Sequence, residues 1–121
     1  MKVIVINCRS IRNKVAAFEV LISSIDPDIV IATESRLTPD VRNSEILPSA
    51  YSIFRRDRQG HGGGVFIMTR KEMICSEVEL PKPCEMVAVD IELKGQQNVK
   101  VVAFYRPLKV TMSTWKILLP T

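Results

Sequence analysis

Three polar residues stand where apolar runs stop. Asn7 follows "VIVI", Glu34 follows "IVIAT", and Tyr105 closes "VVAF". A carboxylate in an apolar setting is costly unless it is paired or bound to a cation, so Glu34 is either a paired structural acid or a ligand. Hydrolysis of a phosphodiester by a metal ion needs a carboxylate for the hard cation, an amide oxygen or water beside it, and donors around the phosphate. Asn7, Glu34 and Tyr105 supply part of that set from three strand ends. Strand ends are often polar, however, and spacing alone favours ordinary strand-end groups.

The elements that must position them follow from periodicity. Residues 3–6 form a continuous β-branched run, expected as a strand covered on both faces. In "NKVAAFEVLISSID" the residues Val15, Phe18, Ile22 and Ile25 recur at helical spacing, Ala16, Ala17 and Leu21 widen the stripe, and Asn13 is placed to cap it. Pro27 ends the helix by disfavouring helical geometry at Asp26. The run "IVIAT" then completes a βαβ unit with two parallel inner strands, whose carboxyl ends are where ligands gather in such sheets.

Residues 35–49 read as a long polar loop with two prolines. "YSIFRRD" and "VFIMTR" are expected as strands joined by the turn "RQGHGGG", with further strands over 74–80, 86–93 and 99–105. Met68 and Met73 belong to the core in this reading. Residues 108–121 show no settled period, and Trp115 has no assignable role there. No internal repeat, low-complexity segment or linker is visible.

Arg55, Arg56 and Arg58 flank the glycine-rich turn and either meet a nucleic-acid backbone or form a solvated hairpin. No Lys-Ser or Lys-Thr follows the glycines, which excludes a P-loop. Their simpler use is the positive φ and close strand approach of a tight hairpin.

The 121 residues are 46% hydrophobic and 25% charged, the make-up of one globular domain. A net charge of +4 and a pI near 9.2 mildly favour a polyanionic partner. Cys8, Cys75 and Cys84 are odd in number and lack a C-x-x-C pair, so free thiols in a reducing compartment are expected instead of a zinc site or disulfide framework. The apolar start is too short for a signal peptide, and no run reaches the roughly 20 residues that span a bilayer. The expectation is an intracellular protein with no membrane partner.

The order of the blocks "INCRSIRNKVAAFEVLISSIDPDIVIATESRL", "YSIFRRDRQGHGGGVFIM" and "VVAFYRP" resembles the opening half of the endonuclease/exonuclease/phosphatase superfamily. It is most similar to the endonuclease domain of non-LTR, LINE-type retrotransposons. The resemblance covers about residues 2–107 and leaves 108–121 as an unmatched tail. It implies an α/β fold, an incomplete four-layer α/β sandwich with a βαβ start followed by antiparallel strands, that nicks DNA with Mg²⁺ or Mn²⁺. It further implies that Asn7 and Glu34 hold the metal, that Asn7 lies at the phosphate pocket, and that Tyr105 contacts the phosphate.

In the resembled family, a Gly-Asp-Phe-Asn block and a Ser-Asp-His block follow and complete the catalytic set. Neither occurs in these 121 residues, and His61, in the turn, does not match the family's catalytic histidine. The expectation is therefore an N-terminal part of the domain, inactive alone and located in the nucleus if anywhere particular. An apolar sheet face left uncovered by the missing half would favour self-association. Two alternatives remain at this stage. One is a non-catalytic βαβ binding domain, although no G-x-G-x-x-G follows the first strand; the other is a phosphoesterase of the same superfamily acting on lipid or small phosphoesters.

Overall fold

A computed structural model describes residues 1–57, 63–80, 85–104 and 116–118. Its elements are β1 (Val3–Asn7), α1 (Val15–Ile25), β2 (Ile29–Thr33), a 3-10 turn (Asn43–Glu45), β3 (Tyr51–Arg56), β4 (Val65–Arg70), β5 (Ile74–Val78), β6 (Met86–Glu92), β7 (Val99–Phe104) and β8 (Lys116–Leu118). They form two four-stranded sheets, ordered β1-β2-β4-β3 and β5-β6-β7-β8. In the first sheet β1 and β2 are parallel while β2, β4 and β3 run antiparallel. All pairs in the second sheet are antiparallel.

The period-two alternation of β2 and β4 divides the molecule into layers, because successive side chains leave a strand on opposite faces. Val30, Ala32, Phe66 and Met68 project from one face onto Phe18 and Ile22 of α1, together with Leu37 and Ile46 from the loop after β2. Ile29, Ile31, Val65 and Ile67 leave the other face and meet Val87, Val89, Ile91, Val101 and Ala103 of the second sheet. All five residues of β2 are buried, as a mostly apolar strand between two layers requires, and only Thr33 among them is polar.

Several expectations need adjusting. β1 is an edge strand among the described residues, half-buried along Ile4–Ile6, so the two parallel strands are not both inner ones. The residue before α1 is Lys14 rather than Asn13, and no side chain caps the helix. Lys14 instead turns its ammonium onto the carbonyls of Cys8 and Arg9, at 3.1 and 3.3 Å. Ala16 and Ala17 are exposed and do not widen the buried stripe. The loop over 35–49 is polar in composition yet anchored, since Leu37 and Ile46 are 1% and 3% exposed. β5 ends at Val78 and β6 at Glu92, short of the expected bounds, and β8 lies in the tail where no period was legible.

The helix stops as its sequence dictates. Asp26 adopts the left-handed conformation, its N–H reaches the Ile22 carbonyl, and Pro27 follows. Here, at the amino end of β2, Arg70 pairs with Asp26 and Asp28 and lies over the Tyr51 ring, 5.5 Å from its centroid, while the Tyr51 hydroxyl donates to the Pro27 carbonyl at 2.6 Å. The Asp28 carboxyl is held below its ordinary range by the Lys2 backbone N–H first and by Arg70 after it. This end of the sheet is locked by structural pairs, which leaves the opposite, carboxyl end of β1 and β2 for chemistry.

The second sheet also alters where apolar surface remains. It covers the inner face of β2 and β4, so that face is not open, as the sequence reading expected. Exposed large apolar residues instead include Met1 and Val3 at β1, 67% and 37% exposed and bordering a groove with Ile29, Val99 and Val101, besides Val20 of α1 and Ile74 of β5. No described helix is long and apolar enough to cross a membrane.

Candidate metal and phosphate site

The parallel register pairs Asn7 with Thr33, so Asn7 and Glu34 sit at adjoining carboxyl strand ends. Hydrogen bonding between the two chain segments continues past the strands. The N–H groups of Cys8, Ser10 and Ile11 donate to the carbonyls of Thr33, Glu34 and Ser35 at 2.8, 2.9 and 3.1 Å. Asn7 is exposed and its Oδ1 accepts from the Arg9 N–H at 3.2 Å. Glu34 is half-buried, with Oε1 3.9 Å from the Arg36 guanidinium.

The backbone here is strained. Arg9, Ser10, Glu34 and Arg36 have φ of 46°, 77°, 51° and 53°, and among the described non-glycine residues only Asp26 shares that sign. Left-handed backbone costs an L-residue roughly 1–2 kcal/mol, and such strain persists only where neighbouring bonds over-determine it, typically at functional sites. For Glu34 the consequence is directional. Extended backbone would alternate its side chain onto the α1 side of the sheet, and the left-handed turn breaks that alternation at the carboxylate.

The bonds that impose the strain come from the β3–β4 hairpin. Ser35 N–H donates to the Gly64 carbonyl at 3.2 Å and Arg36 N–H to the Gly63 carbonyl at 2.9 Å. Gly63 and Gly64 have φ of 70° and 89°, and a Cβ on Gly64 would stand 2.5 Å from Ser35 Oγ. Both glycines take the positive φ expected of them, and the close approach at Gly64 is to Ser35 after β2. Ser35 Oγ is fully buried with no hydrogen-bond partner among the described residues. Gly64 N–H donates in turn to Oε1 of Glu85 at 2.7 Å. Sequence reading passed over Glu85, which lies just before β6 and carries no motif; only the pairing of strands brings it to this junction.

Cys8 follows Asn7 and is buried. Desolvation pushes its thiol up to about 12, with Lys14 opposing and Glu34 adding to the rise, so it stays a neutral thiol near neutral pH. Asn7 lines a groove of about 210 Å³ with Ile6, Cys8, Ile11, Lys14 and Phe18, and Glu34 is not among the lining residues. The structure brings the backbones of Asn7 and Glu34 together at adjoining strand ends.

Arg55 is placed differently from its neighbours in sequence. Its Nε and Nη2 donate to the Asp57 carboxylate at 3.1 and 2.7 Å, Nη1 to the Val41 carbonyl and Asn43 Oδ1 at 2.8 and 2.9 Å, and Nη2 also to the Thr38 carbonyl at 3.0 Å. Arg56 ends β3 opposite Val65 and is half-buried. Arg58, His61 and Tyr105 lie outside the described residues.

For a metal, the donor set fits only one mode. Glu34 and Asn7 offer hard oxygens, and no cluster of three or more His, Cys, Asp or Glu exists among the described residues. A closed protein cage is therefore not formed by these residues. Mg²⁺ is commonly held by one or two carboxylates, several waters and a substrate phosphate, and that arrangement suits an amide and a carboxylate at two strand ends.

No protein-family model matches the chain, and no curated protein matches it. Solved structures do. An AP endonuclease from Leishmania major superposes with a TM-score of 0.68 at 14% identity, over 86% of this chain and 39% of that one. A 3' phosphatase from Neisseria, solved with a product DNA hairpin, gives 0.56 at 17% identity, over 84% of this chain and 40% of that one. The chain thus spans about two-fifths of the length of these structures. At such identities the likeness is one of fold. Two packed sheets with the helix on an outer face, matched to both enzymes over most of the chain, give this protein a partial endonuclease/exonuclease/phosphatase fold.

Proposed function

We propose that this chain is the N-terminal part of a Mg²⁺-dependent DNA endonuclease domain of the LINE retrotransposon type. The observation that carries the reading is the strained junction that brings Asn7 and Glu34 to adjoining strand ends. The retroelement branch rests on the motif order ending in "FRRDR", "GGGV" and "YRP", and the DNA substrate is supported by an AP endonuclease and a phosphatase bound to product DNA as structural relatives. In this reading Glu34 and Asn7 hold the metal and Tyr105 contacts the phosphate. Because the Asp, Asn and His of the later blocks are missing from these residues, catalysis by this stretch alone should be lower by several orders of magnitude. The protein would work in the nucleus, where its DNA lies.

Calorimetry with Mg²⁺ or Mn²⁺ should show weak binding that Glu34→Gln lowers, since the amide keeps the shape and loses the charge. Equal binding by the two proteins would remove the metal reading. A phosphoesterase of the same superfamily is the second reading, favoured by the 3' phosphatase likeness. Translating the downstream genomic sequence in every frame separates them from a different direction: Gly-Asp-Phe-Asn and Ser-Asp-His blocks nearby support the endonuclease.

DNA contact is assigned to Arg55, Arg56 and Arg58, of which Arg55 also donates within the protein to Asp57, Asn43 and the Thr38 and Val41 carbonyls. Changing Arg56 and Arg58 to alanine should flatten the slope of log affinity against log salt by up to about one unit for each phosphate that is no longer neutralised. An unchanged slope would make the hairpin a merely solvated one.

Self-association belongs to the same proposal and is assigned to the apolar edge at β1, where Met1 and Val3 are exposed. Unpaired strand edges and contiguous apolar surface both promote pairing with another chain. On a sizing column residues 1–121 should run above monomer size, and Val3→Lys should shift them toward monomer. A wild-type monomer that binds no hydrophobic dye would rule the edge out.

A further inference from the structure

We infer that Glu85 is a positioning residue for the Glu34 carboxylate. The inference rests on the metal reading of Glu34 and adds a residue to it. Glu85 Oε1 accepts the Gly64 N–H at 2.7 Å, a short, charge-assisted bond to a backbone donor. Gly64, held there with φ of 89°, presents its own carbonyl to Ser35 N–H, and the preceding Gly63 carbonyl receives Arg36 N–H at 2.9 Å. Ser35 and Arg36 directly follow Glu34, which has φ of 51°. The path from Glu85 to Glu34 is therefore one side-chain bond and two backbone bonds across three segments of chain.

The path has an energetic reason to exist. A glutamate held in left-handed backbone relaxes toward ordinary geometry unless the residues after it are pinned. The two bonds from Ser35 and Arg36 supply the pins, and they are only as fixed as the Gly63–Gly64 carbonyls that accept them. No side chain at Gly64 can anchor that turn, since a Cβ there would stand 2.5 Å from Ser35 Oγ. An anchor must come from outside the hairpin, and the second sheet provides it: Glu85 immediately precedes β6, whose first residue Met86 pairs with Phe104 of β7. The second sheet thereby reaches the metal-binding candidate of the first. Residues that orient metal ligands typically change metal affinity by about 10- to 100-fold when removed.

Because the bond needs an acceptor and not a charge, the conservative variant distinguishes positioning from direct ligation. Glu85→Ala should weaken Mg²⁺ binding by about tenfold, the lower end for such residues. Glu85→Gln keeps a side-chain oxygen for Gly64 N–H and should restore most of that affinity. Amide exchange gives a readout that does not depend on the metal: in metal-free protein the Gly64, Ser35 and Arg36 amides should exchange faster in Glu85→Ala and near the wild-type rate in Glu85→Gln. Unaltered exchange at those amides in Glu85→Ala would overturn the inference. So would a Glu85→Gln protein as weak in Mg²⁺ as Glu85→Ala, which would make Glu85 a ligand. If exchange responds as expected while neither Glu34→Gln nor Glu85→Ala affects Mg²⁺ binding, the relay stands as structure, the metal reading fails, and with it the positioning role.

Discussion

Arg55→Ala should lower the unfolding free energy by about 2–3 kcal/mol, less than the roughly 3–5 kcal/mol for removing one partner of a fully buried ion pair, because this pair is only partly buried. The Arg55 and Asp57 side chains are 14% and 10% exposed, and the guanidinium also closes the loop after β2 through the Thr38 and Val41 carbonyls and Asn43 Oδ1. Alanine would strand a carboxylate and these acceptors at once, and an acceptor shielded from water without a partner costs more than the net worth of the bond it made. Arg55→Lys should recover little, because an ammonium cannot reproduce a planar fork that spans Asp57 and three loop oxygens. Urea unfolding of the three proteins measures the difference. Amide exchange should locate the loss at residues 38–43. An Arg55→Ala protein within about 0.5 kcal/mol of wild type, the range of ordinary surface substitutions, would show that the clamp contributes nothing.

Arg55 also shows where the sequence is legible. In "FRRDR" it is one of three equivalent cations, and beyond its neighbour Asp57 its acceptors lie 12 to 17 residues away in a loop whose path no periodicity encodes. The layers were easier to read. A strand apolar on both faces demands cover on both, and β2 has α1 on one side and the second sheet on the other. Likewise the helix boundary at Asp26-Pro27 and the glycines before β4 follow from local backbone chemistry. What local chemistry does not encode is the left-handed turn at Glu34. Asn, Asp or Gly there would have announced it, whereas a glutamate is driven into it by bonds from another hairpin. The edge position of β1 and the role of Glu85 are similarly products of strand order, which a single sequence specifies only weakly.

The remaining large effect is expected from Phe66→Ala, at about 3–5 kcal/mol. Phe66 is fully buried in β4, in register with Ala32 of β2 and Arg55 of β3, and meets the Phe18 ring of α1 edge-on at 6.2 Å between centroids. Its removal leaves a cavity at the centre of the layer between helix and sheet, and the loss is a large part of the roughly 5–15 kcal/mol that holds a typical domain together. The pair itself can be isolated. A cycle of Phe18→Leu, Phe66→Leu and the double variant should give a coupling of about 0.5–1.5 kcal/mol, the range for edge-to-face rings beyond their burial. The effect should also reach the candidate site. Loosening α1 frees Lys14, whose ammonium ties the Cys8 and Arg9 carbonyls to the start of the helix, and Arg9 N–H is the donor to Asn7 Oδ1. Phe66→Leu, which fills more of the cavity than alanine, should stay folded while increasing amide exchange over residues 8–11. If instead Phe66→Ala melts cooperatively within about 1 kcal/mol of wild type, the usual loss for an average substitution, then α1 is not secured through this ring pair. The Asn7 loop would in that case keep its bonds to Thr33, Glu34 and Ser35.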